Sequence, residues 1–159
     1  MNDDLRDLYQ EVILDHGKNP RNFRHPEDAT CTAHGDNPLC GDQLTVYMTV
    51  DENGIVSDAA FEGRGCAISV ASASLMTELV RGKSEADVRR LFEGFHLLAT
   101  GDEGEMPSDL TDEMDRLQVL SGVREFPMRV KCATLAWHTM KAALLGDDKT
   151  TTEQDDGTL

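Results

Sequence analysis

The feature that most constrains the fold of this chain is the spacing of three cysteines and one aspartate. Cys40 and Asp42 lie in the segment NPLCGD, Cys66 lies in GRGCAIS, and Cys132 lies in RVKCATLAWH. Three thiolates and a carboxylate brought together form a tetrahedral, sulfur-rich metal site, for which zinc is the natural occupant. Because 26 residues separate Cys40 from Cys66, and 66 separate Cys66 from Cys132, no short zinc finger or ribbon can join them. A whole domain must fold to assemble this site, which favours a functional metal site over a purely structural one.

Length and charge limit the classes of partner. The 159 residues fit one domain, which we place at residues 1–145, followed by an acidic tail at 146–159 that we expect to be disordered. The net charge is −15, and residues 101–115 and 146–159 contribute −7 and −4 of it. A surface this negative repels phosphate backbones and anionic lipid, so we expect neither nucleic acid nor membrane as a partner.

The sequence also allows an expectation about the cellular compartment. No stretch approaches the roughly 20 apolar residues of a membrane span, and the acidic N-terminus lacks the features of a signal peptide. We therefore expect a cytoplasmic protein, whose thiols stay reduced. In that setting four cysteines indicate metal binding or catalysis rather than disulfides.

Hydrophobic periodicity predicts an α+β fold. Residues 3–16 have the pattern of an amphipathic helix, and 17–42 lack periodicity and are interpreted as a long ordered loop. Residues 43–50 and 55–61 alternate like strands around the turn residues Asn53-Gly54. Helical patterns then follow Cys66, Ser84 and Pro127, with a short one inside the acidic segment. The prediction is a small antiparallel sheet of about three strands packed against a cluster of helices.

The surroundings of each proposed ligand suit metal chemistry. Gly41 permits a tight bend that turns Cys40 and Asp42 toward one ion, and Cys66 precedes a helix whose N-terminus favours a thiolate. Three thiolates, one carboxylate and Zn²⁺ leave a charge of −2, which Arg129, three residues before Cys132, can relieve. Four protein ligands leave no position for water, which argues against a zinc hydrolase. The hard carboxylate of Asp42 is the ligand expected to exchange, and Cys40, on a loop, is the thiolate that moves most easily.

Four segments together resemble a known family. They are LYQEVILDHGKNPRNF (8–23), NPLCGD (37–42), EGRGCAIS (62–69) and REFPMRVKCATLAWH (124–138). In order and spacing they resemble the U-type iron–sulfur cluster assembly proteins over about residues 8–145. Lys131 stands where the scaffold (IscU-type) branch has a histidine, and an acidic insertion at about 99–123 is similar to that of the SufU branch.

The resemblance implies a fold, a cofactor and a reaction. It implies an IscU/SufU-like α+β domain that binds Zn²⁺ through Cys40, Asp42, Cys66 and Cys132. The implied activity is persulfide transfer, with Cys40 accepting sulfane sulfur from a SufS-type, pyridoxal-phosphate-dependent cysteine desulfurase and stimulating its turnover. A downstream cluster-assembly scaffold would receive the sulfur. In the family a histidine of the desulfurase is thought to replace the aspartate on zinc, so Asp42 has a catalytic role beside Cys40, and Arg129 supports the site.

Two other interpretations stay open. The same residues can hold a transient iron–sulfur cluster, as in an IscU-type scaffold. A purely structural zinc module is the other, although such sites rarely use aspartate and usually pair their cysteines in CxxC knuckles. Cys31 has no counterpart in the family motifs and is interpreted as a bystander.

Overall fold

The structure, a computed structural model, describes residues 3–147 and 149–152. Within those residues the chain forms five α helices, one 3₁₀ helix and four strands. In chain order they are α1 (Asp3–Lys18), β1 (Cys31–Asn37), β2 (Asp42–Val50), β3 (Val56–Arg64), α2 (Ala67–Val80), α3 (Glu85–Thr100), α4 (Thr111–Leu117), the 3₁₀ helix (Gln118–Glu125), α5 (Pro127–Leu144) and β4 (Lys149–Thr151).

The four strands form one sheet in the order β3-β2-β1-β4. β2 pairs antiparallel with both β1 and β3, whereas β4 pairs in parallel with β1. α5 packs against β1 and β2, and α2 packs against β3, so the apolar side chains Leu44, Val46 and Met48 of β2 are buried under helices. The predicted α+β fold is confirmed. The sheet has four strands and one parallel pairing, rather than the three antiparallel strands expected.

The sequence pattern did not predict the strand β1. A loop was predicted over residues 17–42, and that prediction is wrong for Cys31–Asn37. The inward positions of β1 include Ala33 and Gly35, and a Cβ on Gly35 would overlap the side chain of Thr139 on α5. Because β1 lies so close to α5, its buried face is built of small residues, and it lacks the alternation of large apolar residues that indicates a strand.

The segment after α1 covers the outer edge of the sheet. The backbone N–H of Phe61 on β3 donates to the carbonyl of Asn22 (3.0 Å), and that of Arg24 donates to the carbonyl of Phe61 (3.1 Å). Phe23 packs edge-to-face on Phe61, with ring centroids 5.2 Å apart. The segment therefore ties α1 to β3 and hides an edge that would otherwise offer unpaired backbone groups.

α2 and α5 form the layer beneath the sheet. α2 is rich in Ala and Ser, and small side chains allow it to approach α5 closely. The two helices are joined by Ser72, whose hydroxyl accepts a hydrogen bond from the Trp137 indole N–H (3.0 Å) and donates one to the Ala133 carbonyl (2.5 Å). Trp137 also stacks on Phe95 of α3 at 4.7 Å between centroids. These contacts fix the axis of α5, which carries Cys132.

The acidic insertion is partly helical, as predicted. Residues 101–110 form no regular element, and α4 with the 3₁₀ helix follows. Their apolar side chains are buried against α3 and its neighbours: Leu110, Met114, Leu117 and Leu120. The acidic side chains Asp112 and Asp115 lie on the exposed side. The insertion is thus an amphipathic layer over one end of the helices.

The acidic tail contributes a strand. Disorder was expected from residue 146, but Lys149–Thr151 form β4 beside β1. The expectation for residues 153–159 lies outside the described part of the chain. Among the described helices, none combines the length and apolar character that crossing a membrane requires.

Candidate metal centre

The loop between β1 and β2 presents Cys40 and Asp42. Asn37 and Asp42 are paired across the end of the hairpin, so the loop spans Pro38 to Gly41. The backbone N–H groups of Cys40 and Gly41 both donate to the Asn37 carbonyl, at 3.2 and 2.9 Å. Gly41 has φ +76°, a left-handed conformation that favours glycine. This turn leaves Cys40 exposed and places Asp42 at 1% exposure, directly after the bend.

Cys66 lies at the junction of β3 and α2. It is the N-cap residue of α2, and its sulfur accepts a hydrogen bond from the Ser69 N–H at 3.5 Å. Its backbone N–H donates to Asp42 Oδ1 at 2.9 Å. A Cβ on Gly65 would lie 2.8 Å from the same oxygen, so a side chain there would displace the carboxylate. The start of α2 and the start of β2 are thereby held against each other.

Cys132 reaches the same place from α5. Its side chain is buried, and its sulfur lies 3.6 Å from the sulfur of Cys40. The side-chain amide of Asn37 donates to Cys132 Sγ at 3.7 Å. Asn37 was not predicted as a site residue; its position inside the NPLCGD segment was the available signal.

The structure brings three of the four predicted ligands together. One ligand atom from each of Cys40, Asp42 and Cys132 lies within 4.8 Å of the others. Cys66 lies outside this group and adjoins it through its backbone N–H, which donates to Asp42 Oδ1. Cys31 is half-buried on β1 and is outside the group.

A hydrogen bond between the thiols of Cys66 and Cys132 shifts their pKa values in opposite directions. The bond from Cys132, with that from the Ser69 N–H, lowers the pKa of the Cys66 thiol to about 6, against the opposing effects of burial and Asp42. The same bond and burial raise the pKa of the Cys132 thiol well above its usual value. The two shifts have opposite directions, so of the two thiols Cys66 loses its proton first as the pH rises.

The carboxylate of Asp42 shows that the residues fit a cation. Its Oδ2 atom is buried and has no hydrogen-bond partner among the described residues. Leaving a buried charged oxygen unpaired is costly, and a metal ion beside three sulfur atoms would remove that cost. Zinc accepts three thiolates and one carboxylate in tetrahedral coordination. The donor set and the orphaned oxygen thus fit zinc.

Arg129 lies on the exposed first turn of α5, before Cys132. Its guanidinium is 4.5 Å from the centre of the Phe126 ring. Its predicted role in supporting the metal site stays a prediction.

Comparison with known proteins adds to this geometry. A profile of the NifU-like N-terminal domain matches residues 8–152. The chain is 40% identical over 147 residues to the zinc-dependent sulfurtransferase SufU of Bacillus subtilis, covering 92% of this chain and 96% of that one. It is 41% identical over 141 residues to the iron–sulfur cluster assembly scaffold protein IscU of Thermotoga maritima, covering 86% and 92%.

A solved structure has the same fold. It is described as an iron–sulfur cluster assembly scaffold protein for the SUF system from Fervidobacterium islandicum AW-1. The two superpose with a TM-score of 0.77 at 32% sequence identity, covering 87% of this chain and 98% of that one.

Proposed function

This chain belongs to the family of NifU-like N-terminal domains, and we propose that within it the protein is a zinc-dependent sulfurtransferase for iron–sulfur cluster assembly. It would receive sulfane sulfur on Cys40 from a SufS-type, pyridoxal-phosphate cysteine desulfurase, stimulate that enzyme, and pass the sulfur to a downstream scaffold in the cytoplasm. The observation that carries the proposal is the group of Cys40, Asp42 and Cys132, with Cys66 bonded to it.

Cys40, Asp42, Cys66 and Cys132 would hold the zinc. When bound, zinc would keep cysteine sulfur in the thiolate form at neutral pH and protect it from oxidation. Three of these residues are fixed by regular structure: Asp42 by β2, Cys66 by the N-terminus of α2, and Cys132 by the body of α5.

Cys40 is the residue best placed to accept sulfur. Cys40 and Cys66 are both exposed, but Cys66 is tied to its helix by the Ser69 N–H, whereas Cys40 stands on a short loop. The Cys40 thiolate would attack the outer sulfur of a persulfide on the donor enzyme. A new S–S bond forms on Cys40, the donor S–S bond breaks, and the donor cysteine leaves as a thiolate. The exchange needs no oxidant or reductant.

The surface beside Cys40 suits contact with another protein. Leu39, Phe126 and Met128 are 55%, 47% and 44% exposed, and they flank Cys40 and Cys132 in the chain. Exposed apolar side chains next to a reactive group are typical of a docking surface. The proposed donor enzyme must bring its own persulfide to Cys40, so such contacts support the proposal.

The test is to locate the transferred sulfur by peptide mass spectrometry. Zinc-loaded protein is incubated with a cysteine desulfurase and L-cysteine, without reductant. Tryptic cleavage leaves Cys31 and Cys40 together in residues 25–64, whereas Cys66 and Cys132 fall in 65–81 and 132–141. A Cys31→Ser variant is therefore used, so that sulfur added to 25–64 must be on Cys40. We expect one added sulfur there, dependent on zinc.

Two further variants separate acceptance from stimulation. Cys40→Ser should abolish sulfur acceptance in a protein whose circular dichroism is unchanged. Asp42→Ala should reduce the stimulation of desulfurase turnover. Sulfur acceptance by Cys40→Ser, or full stimulation by Asp42→Ala, would contradict the role given to that residue.

A scaffold function is the second candidate, favoured by the similarity to a protein named as an IscU scaffold. It predicts that anaerobic incubation with iron and sulfide yields a coloured, oxygen-labile cluster that transfers to an apo-protein. Tightly bound zinc, with neither a cluster nor any effect on the desulfurase, would instead indicate a structural zinc module.

A further inference from the structure

The C-terminal strand reaches the metal centre. β4 runs parallel to β1 toward the Cys40 loop, and Thr152 follows it directly. Thr152 is 3% exposed, and its backbone N–H donates to the Asp36 carbonyl at 3.0 Å. Its hydroxyl donates to Asn37 Oδ1 at 3.1 Å. A residue 115 positions away in sequence therefore bonds to the last residue of β1, beside the site.

Asn37 connects Thr152 to Cys132, one of the proposed metal ligands. Its side chain is fully buried, and its amide N–H donates to Cys132 Sγ at 3.7 Å. An amide group has one donor end and one acceptor end; here the N–H end faces sulfur, and the bond from Thr152 satisfies the buried Oδ1 end. The opposite orientation would turn a carbonyl oxygen toward an electron-rich sulfur. The hydroxyl of Thr152 thus supports the favourable orientation by giving the buried Oδ1 a partner.

We propose that Thr152 and Asn37 form a positioning pair for Cys132, which makes the C-terminal segment part of the support of the metal centre. The inference rests on the proposed metal binding but does not depend on sulfur transfer. A hydrogen bond to a ligand sulfur orients it and withdraws electron density from it, and partners of this kind strongly affect metal affinity. Thr152 is a positioning residue because its hydroxyl bonds to Asn37 and not to the sulfur itself.

The pair is tested in the full-length protein with isosteric variants. Thr152→Val removes the hydroxyl and keeps the shape, whereas Thr152→Ser keeps the hydroxyl and is the matched control. Asn37→Leu removes the amide. Zinc affinity is measured by competition with a chelator, and the charge-transfer bands of the Co²⁺-loaded protein report the electron density on the sulfur atoms. Unfolding of the metal-free proteins is followed in parallel.

The expected pattern is specific. Asn37→Leu should weaken zinc binding roughly 10–100-fold and move the cobalt–sulfur bands to longer wavelength. Thr152→Val should change both in the same direction by a smaller amount, and Thr152→Ser should match the wild type. The double variant should be no weaker than Asn37→Leu alone, since Thr152 acts through Asn37.

Other outcomes overturn the proposal. A merely structural role would lower the stability of the metal-free variants while leaving the cobalt bands unchanged. Additive losses in the double variant would show that Thr152 acts independently of Asn37. If Asn37→Leu does not fold, the Thr152→Val and Thr152→Ser pair decides the question. Normal metal binding without sulfur on Cys40 would refute the sulfurtransferase and leave this inference standing, whereas a wild-type chain that binds no metal would refute both.

Discussion

The substitution Gly65→Ala tests how tightly the candidate metal centre is packed. It connects β3 to α2, and its backbone lies outside the left-handed region, so alanine is acceptable to the chain itself. A Cβ there would lie 2.8 Å from Asp42 Oδ1 and 3.1 Å from Ser69 Oγ, closer than the 3.4–4 Å of ordinary contact. Asp42 is buried and cannot swing into solvent. Gly65→Ala should therefore push the carboxylate away from its place.

The magnitude follows from the hydrogen bond that must be lost. Asp42 has to move by roughly 0.5 Å to restore an ordinary contact, which stretches its 2.9 Å bond from the Cys66 N–H. A hydrogen bond to a charged group contributes about 1.5–3 kcal/mol. The free energy of unfolding of the metal-free protein should therefore fall by about 1.5–3 kcal/mol. Because the carboxylate is also moved from its place beside the sulfur atoms, we expect zinc binding to weaken roughly 10–100-fold, as when a group that orients a metal ligand is removed.

The assay is chelator competition for zinc, combined with denaturant unfolding of the metal-free protein. Gly122→Ala is the matched control, because no atom lies within 4 Å of a Cβ at that position. The control should keep wild-type zinc affinity and change stability by at most about 0.5 kcal/mol. If Gly65→Ala matches the control in both measurements, Asp42 is not held as described, and the reasoning from this contact is refuted.

Three other predictions concern separate parts of the molecule. Burial, with smaller contributions from His96 and Lys141, lowers the pKa of His138 from 6.5 to about 4. Between these two pKa values the unfolded chain binds a proton at this histidine that the folded chain does not. The free energy of unfolding is therefore undiminished above pH 6.5 and falls as the pH is lowered toward 4. Between pH 7.5 and 5.0 this histidine lowers the free energy of unfolding by about 2 kcal/mol. In denaturant unfolding, His138→Phe should therefore lose about 2 kcal/mol less stability over this range than the wild type. Ser72→Ala should lower the free energy of unfolding by about 1–3 kcal/mol, because the buried Trp137 N–H loses its acceptor; an unchanged unfolding midpoint would contradict this. Cys31→Ala should leave zinc content and sulfur acceptance unchanged, and a large loss of either would mean that the β1 thiol takes part in the chemistry.

The residue types in short segments were sufficient to predict much of the site. A cysteine before a run of small residues predicted a helix start, and Cys66 is the N-cap of α2. A glycine between Cys40 and Asp42 predicted a bend, and Gly41 has positive φ. Such features depend on a few neighbouring residues, whose conformational preferences act locally.

Long-range packing accounts for what the sequence pattern did not predict. β1 was taken for a loop because its buried positions are small, and they are small because α5 lies against them. β4 was taken for a disordered tail because three residues cannot form a strand alone, and its hydrogen bonds come from β1.

By itself, the sequence indicated the candidate ligands: three cysteines and one aspartate, a donor set that suits zinc, each near a turn or a helix end. Only the tertiary structure decided what surrounds those atoms. It buried an Asp42 oxygen that has no hydrogen-bond partner among the described residues, brought the sulfur of Cys132 to 3.6 Å from that of Cys40, and brought Thr152 to Asn37. The physical reason is that ligand identity is a property of single residues, whereas burial and hydrogen-bond partners depend on segments that lie far apart in the chain and meet only when it folds.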